Sequence, residues 1–123
     1  MVNIVIPYYK SEKTIRDTFN SLVAQTKKMF IVTLVDDCSN DNIKNIISEY
    51  SKKLHISYLK TEKNSGPGVA RNVGIKNAIK NGYDYIIFVD SDDILNPRAV
   101  EVLYTEARKN DADVVFSNIL CER

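Results

Sequence analysis

The chain has few of the features that would assign it to a common nucleotide-binding or membrane class. Its 123 residues include four glycines, at positions 66, 68, 74 and 82. These positions exclude both a G-x-G-x-x-G turn after the first predicted strand and a G-x-x-x-x-G-K-[ST] phosphate loop. No apolar run approaches the roughly 18 residues that span a bilayer. The sequence therefore disfavours a dinucleotide-binding dehydrogenase, a P-loop enzyme and a membrane-spanning segment.

Cysteine and net charge are equally limited. Cys38 and Cys121 are the only cysteines, and their spacing matches neither a metal site nor a dense disulfide pattern, which predicts free thiols in a reducing compartment. The formal charge of +1 predicts no affinity for nucleic acid or membrane from net charge. The first seven residues lack the basic region and long apolar stretch of a secretory leader. We therefore expect a cytoplasmic protein whose function depends on local charge.

Apolar patterns alternate between strand and helix along the whole chain. With 44% hydrophobic and 27% charged residues, the composition is that of a packed globular protein. Short apolar runs predict strands at residues 2–7, 30–35, 56–59, 85–89 and 112–117. Helical spacing predicts helices at residues 12–26, from 43, at 67–81 and from 96. Ser11 fits the N-cap of the first helix, and Asn96 and Pro97 fit the N-cap and first position of the last.

This alternation predicts an α/β protein. Parallel strands need right-handed helical crossovers, so the expected fold is a mostly parallel twisted sheet with helices on both faces. We expect residues 1–123 to form one domain. Ligands of such sheets bind at the carboxyl edge of the strands. Residues 7–9, 36–39 and 90–93 are predicted to meet at that edge.

The strongest chemical signal is the sequence Asp90-Ser91-Asp92-Asp93. It directly follows the most hydrophobic predicted strand, which we expect to be buried. Residues two apart in an extended segment point the same way, so Asp90 and Asp92 can share one hard divalent cation. Magnesium commonly binds nucleotides through one or two carboxylates and phosphate oxygens. The competing interpretation is a solvated turn with helix-capping aspartates.

Two further segments belong to the same predicted edge. Asp36 and Asp37 end the second strand, where a carboxylate can accept hydrogen bonds from a base or ribose or can form an Asx-turn or helix cap. Gly66 begins a loop that leads into a helix N-terminus, and Arg71 can make a forked contact to a phosphate or a carboxylate. After the first strand, either Tyr8 or Tyr9 can stack on a base, and a tyrosine packed in the core is the alternative.

Four motifs together resemble family 2 glycosyltransferases, and the resemblance covers essentially the whole chain. The motifs are I-V-I-P-Y-Y-K-S-E at 4–12, V-D-D-C-S-N-D at 35–41, N-S-G-P-G-V-A-R-N-V-G-I at 64–75 and F-V-D-S-D-D-I-L-N-P at 88–97. Two positions depart from the family pattern. Lys10 stands where the family usually has asparagine, and Cys38 stands where it commonly has glycine. The resemblance implies a GT-A fold and a nucleotide-sugar site.

The resemblance also implies roles for individual residues. Pro7 and Tyr9 would border the base, and Asp37 would hydrogen-bond it. Arg71 would lie near the diphosphate or its supporting carboxylates. Asp90 would contact the ribose or the sugar and take part in the metal site. Asp92 would bind Mn²⁺ or Mg²⁺ bridging the diphosphate, with Asp93 as an assisting group.

The implied reaction is transfer of a sugar from a nucleoside diphosphate donor, a UDP-sugar first of all, to an acceptor hydroxyl with inversion. The acceptor would be a carbohydrate or a lipid-linked molecule, as in bacterial cell-surface polysaccharide or glycoconjugate synthesis. Complete family members continue well beyond this length. We therefore expect the general base and the acceptor half to be absent from these 123 residues, and the chain to bind donor with little or no transfer. The full-length protein would lie in the cytoplasm or at the inner membrane surface.

Three other classes of protein share parts of this pattern. A nucleotidyltransferase would show a glycine-rich basic loop after the first strand, where this chain has Tyr8, Tyr9 and Lys10. A signalling receiver domain would place its acidic residues after the first and third strands, but here they follow the second and fourth. A nucleotide-binding module without catalysis remains an open alternative.

Overall fold

The computed structural model describes residues 1–111, in which four strands alternate with four helices. The predicted strand at 112–117 and Cys121 lie outside the described residues. The elements are β1 (Val2–Tyr8), α1 (Glu12–Val23), β2 (Phe30–Asp36), α2 (Ile43–Glu49), β3 (Ile56–Lys60), α3 (Pro67–Lys80), β4 (Tyr85–Phe88) and α4 (Ala99–Lys109). Within residues 1–111, no helix is long and apolar enough to cross a membrane.

The four strands form one sheet in the order β3-β2-β1-β4, and every pair of neighbours is parallel. All seven residues of β1 are buried, because strands flank it on both sides and helices cover both faces. Successive side chains of a strand point to opposite faces. The prediction of a mostly parallel sheet in an α/β protein is confirmed.

The two faces of the sheet are covered unequally. Ile4 and Ile6 of β1 pack into a large core with the inner faces of α1, α2 and α4. Val5 lies on the opposite face in a smaller cluster with Val35 and with Ala70 of α3. Helices therefore cover both faces, as predicted, with three on one and α3 on the other.

α3 approaches the sheet unusually closely at Gly74. A Cβ atom at this position would collide with the side chain of Val5 in β1, so only glycine allows this distance between helix and strand. At the other end of α3, Gly66 occupies the N-cap with φ of 93°, and Pro67 takes the first helical position. The segment around residues 66–74 thus sets how α3 meets the carboxyl edge of β1.

Three details of the predicted elements are wrong. α4 begins at Ala99, with Arg98 at its N-cap, so Asn96 and Pro97 belong to the preceding loop. There Asn96 Oδ1 accepts a hydrogen bond from the Arg98 amide. The first helix ends at Val23 rather than at 26. β4 is only partly buried, and Phe88 is 45% exposed, because β1 is its only partner strand among residues 1–111.

Candidate functional site

A cleft of about 460 Å³ lies at the carboxyl edge of β1, between β2 and β4. It brings together residues from the three segments that the sequence analysis assigned to this edge. Six of the predicted site residues line it: Pro7, Tyr9, Asp37, Arg71, Asp90 and Asp92. The remaining one, Asp93, belongs to the same turn as Asp90 and Asp92. The sheet topology explains why these residues lie together, because the loops that follow parallel strands lie at the same edge of the sheet.

The acidic segment is a turn rather than the extended segment that was predicted. The Asp93 amide donates to the Asp90 carbonyl at 3.0 Å, and the Asp90 amide donates to Asp93 Oδ2 at 3.2 Å. One carboxylate oxygen from each of Asp90, Asp92 and Asp93 lies within 4.8 Å of the others. Three hard oxygen ligands at this separation fit Mg²⁺ or Mn²⁺. An extended chain would have aligned only Asp90 and Asp92, whereas the turn brings the Asp93 carboxylate close to both.

Arg71 of α3 reaches across the cleft to the acidic turn. Its guanidinium donates to Asp90 Oδ1 at 3.1 Å, and both side chains are partly exposed, at 39% and 55%. An exposed ion pair of this kind contributes little to folding stability. The consequence of this pair is local. It holds the guanidinium of Arg71 beside carboxylates that could bind a metal, where the guanidinium could also contact phosphate oxygens.

Asp37 is buried, and its carboxylate is already hydrogen-bonded within the protein. Oδ2 accepts from the Gly66 amide at 2.7 Å, and Oδ1 accepts from the Ser65 amide at 3.0 Å and from the Thr61 hydroxyl at 2.9 Å. A carboxylate has about four lone-pair sites, so some capacity to accept remains. Asp37 therefore holds the loop before α3 at the cleft as well as lining the cleft.

The ionised form of Asp37 is stabilised by these contacts. Burial acts to raise its pKa, but the hydrogen bonds from Ser65, Thr61 and Gly66 outweigh burial, and the net pKa lies below the usual 3.8. Asp37 thus remains a charged acceptor near neutral pH.

Asp36 has the structural role that sequence analysis gave as an alternative for this acidic pair. It is 2% exposed, and its Oδ1 accepts from the Ser39 amide at 3.0 Å, which closes a turn after β2. Its Oδ2 accepts from the Tyr58 hydroxyl at 2.6 Å. Burial and then this bond to Asp36 raise the pKa of Tyr58. Of the two aspartates, Asp37 is therefore the one that lines the cleft.

The two tyrosines after β1 also separate into two roles. Tyr8 is 1% exposed and donates its hydroxyl proton to Asp41 Oδ2 at 2.7 Å, and burial followed by this contact raises its pKa. Tyr9 is 43% exposed, and the Lys10 Nζ lies 5.3 Å from its ring centroid. Tyr9 is therefore the aromatic ring available for stacking, whereas Tyr8 forms part of the core.

Sequence reasoning missed the hydroxyl side chains that surround the acidic turn. Ser11 occupies the N-cap position of α1, as predicted, but its hydroxyl makes no capping bond and instead accepts from Ser91 Oγ at 2.8 Å. Thr14 and Thr18 also contact Ser91. A signal was present, because residues 11, 14 and 18 are spaced three and four apart and share one helical face.

The sequence matches a known family along nearly its whole length. The model described as "Glycosyl transferase family 2" matches residues 3–122. Poly(ribitol-phosphate) beta-N-acetylglucosaminyltransferase TarS of Staphylococcus aureus is 38% identical over 117 residues, which is 93% of this chain and 20% of that protein. Poly(ribitol-phosphate) beta-glucosyltransferase of Bacillus spizizenii is 37% identical over 122 residues, which is 96% of this chain and 19% of that protein. The chain thus spans about one fifth of these relatives.

Solved structures agree with the sequence comparison. The crystal structure of S. aureus TarS 1-349 in complex with UDP superposes with a TM-score of 0.82 and 36% identity, covering 91% of this chain and 33% of that one. The mannosyltransferase PcManGT of Pyrobaculum calidifontis, solved with GDP-Man and Mn²⁺, has a TM-score of 0.66 at 17% identity over 79% of this chain and 29% of its own. The second likeness bears on the fold alone, and the fold is that of GT-A glycosyltransferases.

Proposed function

Because the chain belongs to the family 2 glycosyltransferases, we propose that its cleft binds the nucleotide part of a UDP-sugar for transfer of the sugar to an acceptor hydroxyl. The observation that carries this proposal is the meeting of Asp37, Arg71 and the acidic turn in one cleft of about 460 Å³. That volume lies in the range of small-molecule sites. Binding of UDP by the TarS relative supports uridine as the base.

Each side chain of the cleft then has a distinct task. Tyr9 and Pro7 border the base, with the exposed ring of Tyr9 free to stack on it. Asp37 accepts a hydrogen bond from the base through its remaining lone-pair capacity. Arg71 contacts the diphosphate or supports Asp90, which contacts the ribose or the sugar. This arrangement orients the donor from one end of the cleft to the other.

The acidic turn would hold Mn²⁺ or Mg²⁺. Asp92 and Asp90 would supply ligand oxygens, and Asp93 would assist them, since the three carboxylates offer oxygens within 4.8 Å of one another. A bound divalent cation would neutralise charge on the departing diphosphate. Carboxylate oxygens suit both ions, and Mn²⁺ is the first to test because its free form can be counted by electron paramagnetic resonance.

Transfer itself requires more than these residues. A general base must take the proton of the acceptor hydroxyl. The carboxylates that line the described part of the cleft, Asp37, Asp90 and Asp92, all have other tasks in this proposal. We therefore assign the base and the carbohydrate or lipid-linked acceptor to protein outside these 123 residues, and expect inversion at the anomeric carbon. Surface polysaccharide or glycoconjugate synthesis is the process in which we place the full-length enzyme.

Calorimetric titration of the chain with UDP-GlcNAc, with and without Mn²⁺, tests the proposal, with GDP-mannose as the competing donor. We expect Mn²⁺ to tighten binding of UDP-GlcNAc, and Asp92→Ala to abolish that gain. Asp84→Ala is the matched control, because Asp84 is an exposed carboxylate paired with the N-terminus away from the cleft.

Three outcomes would contradict parts of this proposal. A folded chain that binds no nucleotide would refute the donor site. A metal effect that persists in Asp92→Ala would refute the acidic turn as the metal site. Tighter binding of GDP-mannose than of UDP-GlcNAc would refute uridine as the base.

A further inference from the structure

Ser91, the central residue of the acidic turn, is held by α1 through its backbone and its side chain. Its carbonyl oxygen accepts from Thr14 Oγ1 at 3.0 Å and from Thr18 Oγ1 at 3.1 Å. Its hydroxyl donates to Ser11 Oγ at 2.8 Å. A carbonyl oxygen has two lone pairs, so the two threonines fill its hydrogen-bonding capacity.

The geometry of Thr18 makes this contact unusual. Threonine hydroxyls inside helices commonly bond back to a carbonyl one turn earlier in their own helix. Thr18 is fully buried, and its hydroxyl donates outside its own helix to Ser91, 73 residues along the chain. Thr14 bonds weakly to the Ser11 carbonyl at 3.4 Å and more closely to Ser91. Both hydroxyls are thus directed at the turn.

Ser91 lies between two of the three carboxylates that would bind the cation. Fixing its carbonyl fixes the plane of the peptide between Ser91 and Asp92, and with it the direction in which Asp92 leaves the backbone. A metal site keeps its affinity only when its ligands are held within about 0.5 Å of the bound geometry. Asp90 and Asp92 are exposed, so the anchor at Ser91 restrains the backbone that carries them, alongside the ion pair of Asp90 with Arg71.

We propose that Thr14 and Thr18 are positioning residues for cation binding, because their hydroxyls hold the Ser91 carbonyl and thereby keep the carboxylates of the acidic turn converged. This inference rests on the metal site of the proposed function. It adds that α1, which contributes no carboxylate to that site, controls its affinity. Ser11 links the acidic turn to Tyr9, the residue proposed to border the base, since the Ser11 hydroxyl donates to the Tyr9 carbonyl at 3.0 Å.

The test uses the full chain and Mn²⁺ alone, with the free ion counted by electron paramagnetic resonance. Thr14→Val/Thr18→Val removes both hydroxyls and keeps the branched shape, and we expect Mn²⁺ affinity to fall roughly tenfold, as for loss of one to two hydrogen bonds. Thr14→Ser/Thr18→Ser keeps both hydroxyls and should stay within about twofold of wild type. Thr26→Val is the control, because Thr26 donates to Glu101, away from the turn.

The readout separates positioning from a merely structural role. A structural role would lower the melting temperature of the valine variant but leave Mn²⁺ affinity unchanged at temperatures where the protein is folded. Thr14→Val alone provides a milder variant if the double variant does not fold. Thr14 is only partly buried, whereas Thr18 is fully buried, so the change at Thr14 should disturb packing less. We expect it to weaken Mn²⁺ binding about threefold.

Two results would overturn the inference in different ways. If the wild type binds Mn²⁺ and the valine variants bind it with the same affinity, the positioning role is refuted and the proposed function remains intact. A wild-type chain that takes up no Mn²⁺, with or without UDP, would refute the metal site itself and the inference with it.

Discussion

The guanidinium of Arg71 lies 3.1 Å from Oδ1 of Asp90, so one carboxylate oxygen of the predicted metal site is already paired with a positively charged side chain. The two residues come from α3 and from the loop after β4, and they are 19 positions apart in sequence. Binding of a divalent ion and a diphosphate would change the partners of both. Asp90 would turn towards the metal, and Arg71 would be released to the phosphate oxygens.

Arg71→Met should therefore weaken nucleotide binding without unfolding the protein. We expect a change in unfolding free energy below about 1 kcal/mol, because the ion pair is exposed. We expect UDP affinity to fall roughly tenfold, as for loss of a charge-assisted hydrogen bond. Calorimetry of UDP binding measures this. Arg98→Met, which breaks the pair with Glu101 outside the cleft, should leave UDP affinity unchanged. Equal UDP affinity in wild type and Arg71→Met would count against the phosphate contact.

Asp37→Asn should destabilise the fold in a pH-dependent way. The folded-state pKa of Asp37 is depressed, so its stabilisation is complete above the unfolded-state value near 3.8 and is lost as pH falls through the lower folded value. We expect the variant to lose about 2 kcal/mol at neutral pH, because an amide group cannot accept all three protein hydrogen bonds.

Urea denaturation at pH 7, 5 and 3 would measure that difference. The gap between wild type and Asp37→Asn should be largest at pH 7 and should narrow at pH 3. Asp84→Asn controls for the loss of any carboxylate, since Asp84 is exposed. A gap that widens on acidification would contradict the depressed pKa.

Cys38→Gly should stabilise the protein. Cys38 has φ of 62°, in the left-handed region that side chains other than glycine adopt at a cost. The sequence departs from the family pattern at this position, and the structure gives that departure a physical consequence. We expect a gain of roughly 0.5–1 kcal/mol after the entropy loss of glycine is counted. Chemical denaturation measures it, and Cys38→Ser, which retains the strain, should show no gain.

Gly74→Ala should separate α3 from β1. The added methyl group would overlap the Val5 side chain, and overpacking of this kind costs about 1–3 kcal/mol. The double variant with Val5→Ala should recover part of the loss, so the double-mutant cycle should show a favourable coupling of about 1 kcal/mol. Gly68→Ala is the matched control, because its Cβ would meet nothing within 4 Å. Additive losses at positions 5 and 74 would contradict the close approach.

Local sequence signals predicted most of the fold. The runs at 2–7 and 30–35 are within one residue of β1 and β2, because β-branched apolar stretches have few other stable conformations in a parallel sheet. The helix start at Asn96 and Pro97 was wrong, since local capping preference was overridden by the tertiary contacts of the loop: the Asn96 carbonyl accepts from Gln25 and the Pro97 carbonyl from the Thr26 amide.

The amino-acid sequence by itself determined the family, the parallel α/β class and the set of polar residues at the carboxyl edge, because motifs and periodicity are local properties of the chain. Only the tertiary structure decided the role of each member of a pair: Tyr9 is exposed while Tyr8 is buried, and Asp37 rather than Asp36 lines the cleft. It also decided that α1 holds Ser91. These outcomes depend on hydrogen bonds between residues 20 to 80 positions apart, such as those of Tyr58 with Asp36 and of Ser91 with Ser11, and no local pattern specifies such partners.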